Sequence, residues 1–350
     1  MAVSQYRAYI GTYTKGKSEG IYSFVLDTAR KQLTALEAVA QLGNPTYLAV
    51  SEDNHYLHAV EKKGALGGVV SFAIGESGKL VRLNEQLAEG ASPCYVSVNR
   101  SNGCVLTANY HKGTADNYPV TNENGVQAVA GVVQHKGSGT DPDRQEGPHV
   151  HYADFTPDER FAVTVDLGID ELTTYSLSKG KWIVQHTLNL KPGTGPRHLA
   201  YHPFASFAYV MSELSSEVIA LQFDAKSGSF SVIQTLSALP ADYSGHNQGS
   251  AIKVSADGRF VYVSNRGHNS LAVFHVDSRS GKLTLVHHVG TKGDWPRDFE
   301  LDPSGKFLVV ANQNSGDLVL FERDAESGLL SMLDSKLNVP DPVCIKFLHV

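Results

Sequence analysis

The stretch Gln248–Gly290, QGSAIKVSADGRFVYVSNRGHNSLAVFHVDSRSGKLTLVHHVG, contains the pattern that decides the fold. An alternating run opens it, and a turn at Asp257–Gly258 leads into the continuous apolar run FVYVSN. A third run, SLAVFHVD, follows, and the turn SRSGKL leads into a fourth. Runs this short, separated by turn residues and without helical periodicity, predict four antiparallel β-strands.

The same pattern recurs along the chain at a spacing of roughly 45 to 57 residues, which is typical of repeat architectures. The N-terminal segment YRAYIGTYTKGKSEGIYSFVLD holds only the later strands of a unit, and the C-terminal PVCIKFL holds only a first strand. Four strands per unit predict the blades of a β-propeller. Copies that contain the first two strands begin at Asn44, Ser92, His149, Gly195, Gln248 and Trp295.

We therefore predict an all-β fold, a seven-bladed β-propeller with four antiparallel strands per blade. The whole chain, residues 1–350, is expected to form a single domain. The C-terminal strand is expected to join the N-terminal blade and so close the ring. Closure removes exposed strand edges that would otherwise invite aggregation.

The bulk composition disfavours several classes of protein. A net charge of -6 argues against a nucleic-acid partner, which normally requires a basic face. The N-terminus MAVSQYRAYIGTY lacks the pattern of a signal peptide, and no stretch approaches the roughly 18 apolar residues of a membrane span. The three cysteines, Cys94, Cys104 and Cys344, are too few and too scattered for a disulfide framework or a zinc cage. We expect a cytoplasmic protein, a monomer or weak homo-oligomer, with no membrane or nucleic-acid partner.

Two positions per blade are candidates for function. In a propeller the first strand of each blade lies beside the central channel, and the end of the second strand returns to the same face. Polar and charged residues occupy many of these positions, mostly in the fourth to seventh blades, where a purely structural repeat would hold small or apolar ones. The openers are Thr46, Cys94, His151, Arg197, Ser250, Arg297 and Val343, and the second strands end at Tyr13, Glu61, Tyr110, Asp166, Glu213, Arg266 and Gln313, with Asn109, Asn265 and Asn312 just before such ends.

The histidines His149 and His151 lie two residues apart on an extended segment, so their side chains are expected to point the same way. An H-x-H pair can bind zinc, but zinc needs a third or fourth ligand. A general base or hydrogen-bond donor is the favoured interpretation, because imidazole titrates near neutral pH. The alternative is that one or both histidines only cap the strand.

The arginines Arg197, Arg266 and Arg297 suggest an anionic ligand, because a guanidinium presents a planar fork to carboxylate or phosphate. The alternative is that each arginine pairs with an acid of a neighbouring blade, for instance Arg197 with Glu213. Three arginines together would need three such acids, which favours the ligand.

Several motifs together resemble the lactonase family of seven-bladed propellers over essentially the whole chain. They are PHVHYADFTPDERFAVTVDLGID, GPRHLAYHP followed by MSE, SNRGHNSLAVF and the N-terminal YIGTYT. The resemblance implies a metal-independent active site in the central funnel. It places the functional histidine of the family at His151, its arginines at Arg197 and Arg266, and its glutamate at Glu213.

The resemblance implies hydrolysis of a small anionic sugar-acid lactone, with 6-phosphogluconolactone of the pentose phosphate pathway as the first choice. In that role His151 activates water, Arg197 and Arg266 hold the anionic end and stabilise the oxyanion, and Glu213 orients a partner or moves the proton. We expect neither a cofactor nor a metal. The predicted substrate-binding residues are His149, Arg297, Asp166, Tyr13, Glu61 and Asn109.

Two other functions use the same pattern. The same residues could catalyse lactonization by addition of a carboxylate across a double bond, as carboxymuconate-type enzymes do. A non-catalytic propeller that binds another protein is the third interpretation, although such scaffolds need no acid–base pair. The Gly- and Asn-rich segment 111–147 is predicted to be an insertion in the third blade that covers the funnel or extends its rim.

Overall fold

The computed structural model describes residues 4–350, which form seven antiparallel β-sheets. No helix in this part of the chain is long and apolar enough to cross a membrane. The all-β prediction with seven blades is confirmed. The strands are β1 Gln5–Thr12, β2 Gly20–Asp27, β3 Gln32–Gln41, β4 Leu48–Val50, β5 Tyr56–Lys63, β6 Leu66–Ile74, β7 Leu80–Glu89, β8 Tyr95–Val98, β9 Cys104–Asn109, β10 Thr114–Thr121, β11 Gly125–Val126, β12 Gly131–Gln134, β13 Val150–Phe155, β14 Ala162–Asp166, β15 Glu171–Ser178, β16 Lys181–Asn189, β17 Pro196–Tyr201, β18 Phe207–Ser212, β19 Glu217–Asp224, β20 Ser229–Ser237, β21 Gln248–Val254, β22 Phe260–Arg266, β23 Ser270–Val276, β24 Leu283–Gly290, β25 Pro296–Leu301, β26 Phe307–Asn312, β27 Asp317–Arg323, β28 Leu330–Asn338 and β29 Pro342–Phe347.

Six sheets contain four strands that follow one another in space as in the sequence, except where the chain ends meet. The inner strands are buried throughout, as in β14 and β26, because their apolar runs lie between neighbouring sheets. The outer strands, such as β16 and β28, carry mostly exposed or half-exposed residues, so they face solvent on one side. Burial is therefore greatest in the second strand of these blades and least in the last.

The chain ends pair within one sheet of order β29-β1-β2-β3. Ile10 is opposite Ile345, and Ala8 is opposite Phe347. Phe347 also packs edge-to-face on Phe24, with ring centroids 5.7 Å apart. The prediction that the C-terminal strand completes the N-terminal blade is confirmed.

The third blade differs from the prediction. The segment 111–147 is not an insertion, because Thr114–Thr121 pairs with β9 and Gly131–Gln134 pairs in turn with β10. With the short β11, this sheet has five strands rather than four. The sequence TADNYPVT combines Asp, Asn and Pro, which are depleted in strands, and so conceals a strand that tertiary pairing stabilises.

The chain divides into two compact units, each described here by itself. The first unit comprises the chain up to Gln41 with Leu199–Gln222 and Val232–Val350, and the second comprises Leu42–His198 with Phe223–Ser231. Apolar cores of the first unit include one around Phe24 and Val309 and another around Phe274. The single-domain prediction for residues 1–350 stays a prediction.

Candidate active site

A β-bulge surrounds the opening residue of the first strand in several blades. Strand pairing shifts register at His151 in β13 and at Arg297 in β25. Similar shifts skip Ser250 in β21 and Val343 in β29. A bulge adds an unpaired residue, bends its strand and redirects the side chain. Because Val343 has no polar group, the bulge belongs to the repeat, and the residue that occupies it determines the chemistry.

In the second unit, His151, Arg197 and His198 are all buried. The rings of His151 and His198 lie 5.1 Å apart. Arg197 Nη1 is 3.4 Å from Nδ1 and 3.3 Å from Nε2 of His198. These nearly equal distances place the guanidinium against the imidazole rather than in one directed hydrogen bond. Two predicted site residues, His151 and Arg197, thus share one neighbour, His198.

His198 lies among three buried tyrosines that sequence reasoning missed. Tyr47 and Tyr95 stack with centroids 4.1 Å apart, and Tyr95 lies 5.2 Å from the His198 ring. Tyr152 is 4.7 Å from Tyr95. These four rings each directly follow the opening residue of a blade, so the aligned repeats contained the signal. The result is an apolar, aromatic lining behind the charged side chains.

His149 lies parallel to Tyr110, with centroids 4.1 Å apart and an angle of 8° between the rings. Its Nδ1 is 2.9 Å from the Tyr110 carbonyl oxygen, and because a carbonyl only accepts, Nδ1 carries a proton. His151 approaches the same tyrosine edge-on at 5.9 Å. Both histidines therefore lie beside one ring, in keeping with the expectation that they point the same way.

Asp166 is buried, and both of its carboxylate oxygens bond to neighbouring groups. Its Oδ1 accepts hydrogen bonds from the backbone N–H groups of His149, at 2.7 Å, and Gly168, at 2.9 Å. Its Oδ2 lies 2.8 Å from Nδ1 of the buried His135, whose Nε2 is 2.9 Å from the Tyr175 hydroxyl. The carboxylate thereby fixes the backbone that carries His149.

Two other predicted substrate-binding residues are also engaged by the protein. Asn109 donates to the Ala91 carbonyl at 2.8 Å and accepts from the Lys112 N–H at 3.0 Å, so it fastens the turn after its strand. The buried Glu61 accepts from Arg82 Nη2 at 2.6 Å. Their role as substrate contacts stays a prediction.

In the first unit, Glu213 and Arg266 form a buried ion pair, with Glu213 Oε2 2.6 Å from Arg266 Nη2. The same nitrogen donates to the Gly249 carbonyl oxygen at 2.8 Å. The guanidinium lies over the Trp295 ring, 5.6 Å from its centroid. The proposed alternative that a site arginine pairs with an acid of another blade therefore applies to Arg266.

Arg297 and Tyr13 also lie together in the first unit. The Arg297 guanidinium is 5.5 Å from the centroid of the Tyr13 ring, and both residues are half-buried. Among residues 4–350, no group of three or more His, Cys, Asp and Glu side chains is arranged to hold a metal ion.

Comparison with known proteins identifies the family. The sequence model described as Lactonase, 7-bladed beta-propeller matches residues 7–347. The chain belongs to the lactonase family. The predicted resemblance and the seven-bladed fold are thus confirmed.

Relatives of this lactonase match it over nearly its full length. The 6-phosphogluconolactonase of Bacillus subtilis is 51% identical over 348 residues, 99% of each chain. A Lactobacillus plantarum protein of known structure is 42% identical with a TM-score of 0.94, covering 99% of this chain and 100% of that one. The periplasmic gluconolactonase PpgL of Pseudomonas aeruginosa is 32% identical with a TM-score of 0.93, over 99% and 100% of the two chains. Since one relative is periplasmic, the cytoplasmic location of the lactonase stays a prediction.

Proposed function

We propose that the lactonase hydrolyses 6-phosphogluconolactone to 6-phosphogluconate. The observation that carries this proposal is the 51% identity, over 99% of both chains, to the 6-phosphogluconolactonase of Bacillus subtilis. The side chains at the candidate positions support it, because ester hydrolysis needs a base and cationic groups, and His151, Arg197 and Arg266 are of these types.

In the proposed reaction His151 is the general base. It takes a proton from a water molecule whose oxygen attacks the lactone carbonyl carbon. The tetrahedral oxyanion collapses, the bond between the carbonyl carbon and the ring oxygen breaks, and the proton passes from His151 to that oxygen. The products are a carboxyl group, which ionises, and a free hydroxyl. The edge-on contact with Tyr110 and the neighbouring His198 support a fixed orientation of the His151 ring.

Arg197 is proposed to stabilise the oxyanion. A guanidinium that is already oriented costs little reorganisation as negative charge develops, and a site shielded from water strengthens the attraction. Arg197 is 3% exposed and lies against His198, so its orientation is restricted before substrate arrives.

Glu213 is proposed to orient Arg266 rather than to transfer a proton. Its carboxylate lies 2.6 Å from Arg266 Nη2, and the pair is nearly neutral as a unit. Arg266 then donates hydrogen bonds to the substrate without presenting a full unpaired charge. His149 is proposed to contact substrate through Nε2, which lies 3.2 Å from the exposed Glu146 carboxylate, because Nδ1 bonds to Tyr110. Asp166, Asn109 and Glu61 are proposed to act through the backbone and side chains they hold in place.

The test is a lactonase assay in which 6-phosphogluconate formation is measured above the spontaneous hydrolysis of the lactone. The wild-type protein is expected to accelerate the reaction, and His151→Ala and Arg197→Ala are each expected to lower kcat/KM by about 100-fold or more. His55→Ala is the matched control, because this histidine lies in a turn with a 73% exposed side chain.

Thermal unfolding of each variant checks that the fold is intact. Failure of the wild-type protein to exceed the spontaneous rate would reject the proposed substrate. Wild-type turnover in both variants would instead reject the proposed roles while leaving the activity in place. If the protein consumes a carboxymuconate, followed by its ultraviolet absorbance, the lactonizing reaction is the correct one.

A further inference from the structure

The cations of the first unit differ in how their charge is neutralised. Arg266 pairs with Glu213, and the buried Arg323 pairs with Asp257 at 2.7 Å. The largely buried Lys253 pairs with Glu300 at 2.6 Å. In each case a carboxylate offsets the cost of removing a cation from water. The charge of each of these three cations is thus balanced by a carboxylate of the protein.

Arg297 has no such partner. Within residues 4–350 its guanidinium forms neither an ion pair nor a side-chain hydrogen bond, and it lies over the Tyr13 ring, 5.5 Å from the centroid. The adjacent Asp298 is no substitute, because it is buried and accepts the Ile345 N–H at 2.8 Å. Arg297 is thus a half-buried cation whose charge is not balanced by a carboxylate.

A second cation lies over the same ring. Lys15 Nζ is 4.9 Å from the centroid of Tyr13. Lys15 is exposed and likewise forms no ion pair within the described chain. The electron-rich face of a tyrosine attracts cations, which keeps both near it, but the two positive charges repel each other. An anion placed near both would relieve this repulsion.

The backbone around Arg297 is held rigidly. Ser250 Oγ donates to the Arg297 carbonyl at 2.6 Å, and the Trp295 N–H donates to Asn269 Oδ1 at 2.9 Å. Trp295 has a φ of 66°, an uncommon left-handed conformation for a bulky residue, and the Gln313 N–H holds its carbonyl at 3.0 Å. Such positions persist only where surrounding contacts enforce them, and they cluster at functional sites. The guanidinium therefore projects from an ordered bulge.

We propose that Arg297 and Lys15, which both lie near the Tyr13 ring, bind the phosphate group of the substrate. This inference rests on the proposed function. The carboxyl group of a lactone is esterified and carries no charge. The phosphate is therefore the only ionised group of 6-phosphogluconolactone. A phosphate monoester carries close to two negative charges at neutral pH, which matches two unneutralised cations. Arg297 supplies a planar fork of donors, and the flexible Lys15 supplies a point charge.

The experiment compares phosphorylated with unphosphorylated ligands. The kcat/KM values for 6-phosphogluconolactone and glucono-δ-lactone are measured in the wild-type protein, Arg297→Gln, Arg297→Lys and Lys15→Gln. The selectivity for the phosphorylated lactone is expected to fall about 10- to 100-fold in Arg297→Gln, chiefly through KM, and less in Lys15→Gln. Arg297→Lys should restore part of it, since the charge remains.

Arg7→Gln is the matched control. This arginine is also half-buried in the first unit, donates to Ser23 Oγ at 3.4 Å and has no part in the proposed site. Its replacement is expected to leave the selectivity unchanged. An unaltered selectivity in Arg297→Gln would overturn the proposal, as would an equal loss with both lactones.

Binding of 6-phosphogluconate and gluconate, measured by calorimetry, separates this proposal from the reaction itself. If the wild-type protein hydrolyses neither lactone, the proposed function fails, and the phosphate site is judged on binding alone. Weaker binding of 6-phosphogluconate to Arg297→Gln, with gluconate as the comparison, supports the site. Equal binding by the two proteins, or none by the wild type, refutes it.

Discussion

Glu213 and Arg266 form a pair with only 5% and 3% of their side chains exposed, and Glu213 Oε2 lies 2.6 Å from Arg266 Nη2. Arg266 makes a second bond, to the Gly249 carbonyl oxygen, and the Gly249 N–H donates to the Glu213 carbonyl at 3.1 Å. The pair is therefore connected through one glycine as well as directly. Arg266, at the end of β22, is thereby linked to Glu213, which directly follows β18 of the preceding blade, and to Gly249 in β21.

Removing both members of the pair is expected to cost less stability than the two single removals added together. Glu213→Ala and Arg266→Ala each leave a buried charge without its counter-charge, which typically costs about 3–5 kcal/mol of the free energy of unfolding. The double variant leaves no such charge, so its loss should be well below the sum of the single losses. Urea unfolding of the four proteins measures this coupling.

Lys31 and Glu322 provide the control cycle, since their ion pair of 2.8 Å is 48% and 41% exposed. An exposed pair of this kind contributes less than about 1 kcal/mol, and its coupling should be correspondingly small. If the losses at Glu213 and Arg266 are simply additive, the pair does not act as a unit.

Asp166 allows a direct choice between a structural and a ligand-binding role. In Asp166→Asn, the NH2 group cannot face the N–H groups of His149 and Gly168, so it faces His135 and requires the tautomer in which Nδ1 accepts and Nε2 donates to Tyr175. The neutral amide also replaces hydrogen bonds to a charged group, which contribute about 1.5–3 kcal/mol each, by weaker ones, so thermal stability should fall together with lactonase activity.

The exposed Asp143, in the loop before His149, serves as the control, and Asp143→Asn is expected to change neither quantity. A loss of activity in Asp166→Asn with an unchanged melting temperature would restore the prediction that Asp166 contacts the substrate.

The blades could be predicted because each is a chain of local hairpins. Turns such as Asp257–Gly258 and the apolar runs that follow them specify neighbouring strands within a few residues of each other. The pairing of β29 with β1 was predicted as well, since the N-terminal segment lacks the first strand of a blade and the C-terminal segment holds only a first strand. The strand Thr114–Thr121 was missed, because Asp116, Asn117 and Pro119, which are depleted in strands, interrupt its pattern, and its pairing with strands on both edges stabilises it.

The sequence predicted which positions hold the candidate residues, but not which side chains contact one another there. The repeats identified His151, Arg197, Glu213 and Arg266, yet His198 was passed over because neighbouring residues of a regular strand point to opposite faces. The bulge at His151 and the contact between Arg197 and His198 depart from that regularity. Sequence spacing carries no sign of a bulge that adds one residue to a strand.

The three arginines show the same limit. Arg197 and Arg297 open first strands and Arg266 ends a second strand, so the repeat alignment places all three at candidate positions, but their surroundings differ. Arg266 meets Glu213, whereas Arg297 meets the ring of Tyr13. Which acid or ring lies beside a given guanidinium depends on residues that are distant in the sequence. The alignment predicts a set of cations, and the packing determines which of them has a carboxylate partner and which does not.

His58, which is fully buried in β5, predicts a dependence of stability on pH that is separate from catalysis. Its Nε2 is 2.9 Å from Asn102 Oδ1, an acceptor, so Nε2 carries the proton. Its Nδ1 is 2.9 Å from Ser71 Oγ, which also accepts the Val126 N–H at 3.0 Å. The Ser71 hydroxyl therefore donates to Nδ1, and the neutral imidazole satisfies every partner.

Burial lowers the pKa of His58 from 6.5 to about 4, against the opposing effect of its hydrogen bond to Asn102. The unfolded chain therefore binds a proton more readily than the folded protein, so acid favours unfolding. The contribution of His58 to stability is constant above about pH 7 and is lost as the pH falls from about 6.5 towards 4, by up to ~3 kcal/mol. In His58→Gln this group no longer titrates, so the free energy of unfolding should fall less steeply over that range. Urea unfolding at several pH values measures both proteins, and parallel curves would show that His58 does not carry the effect.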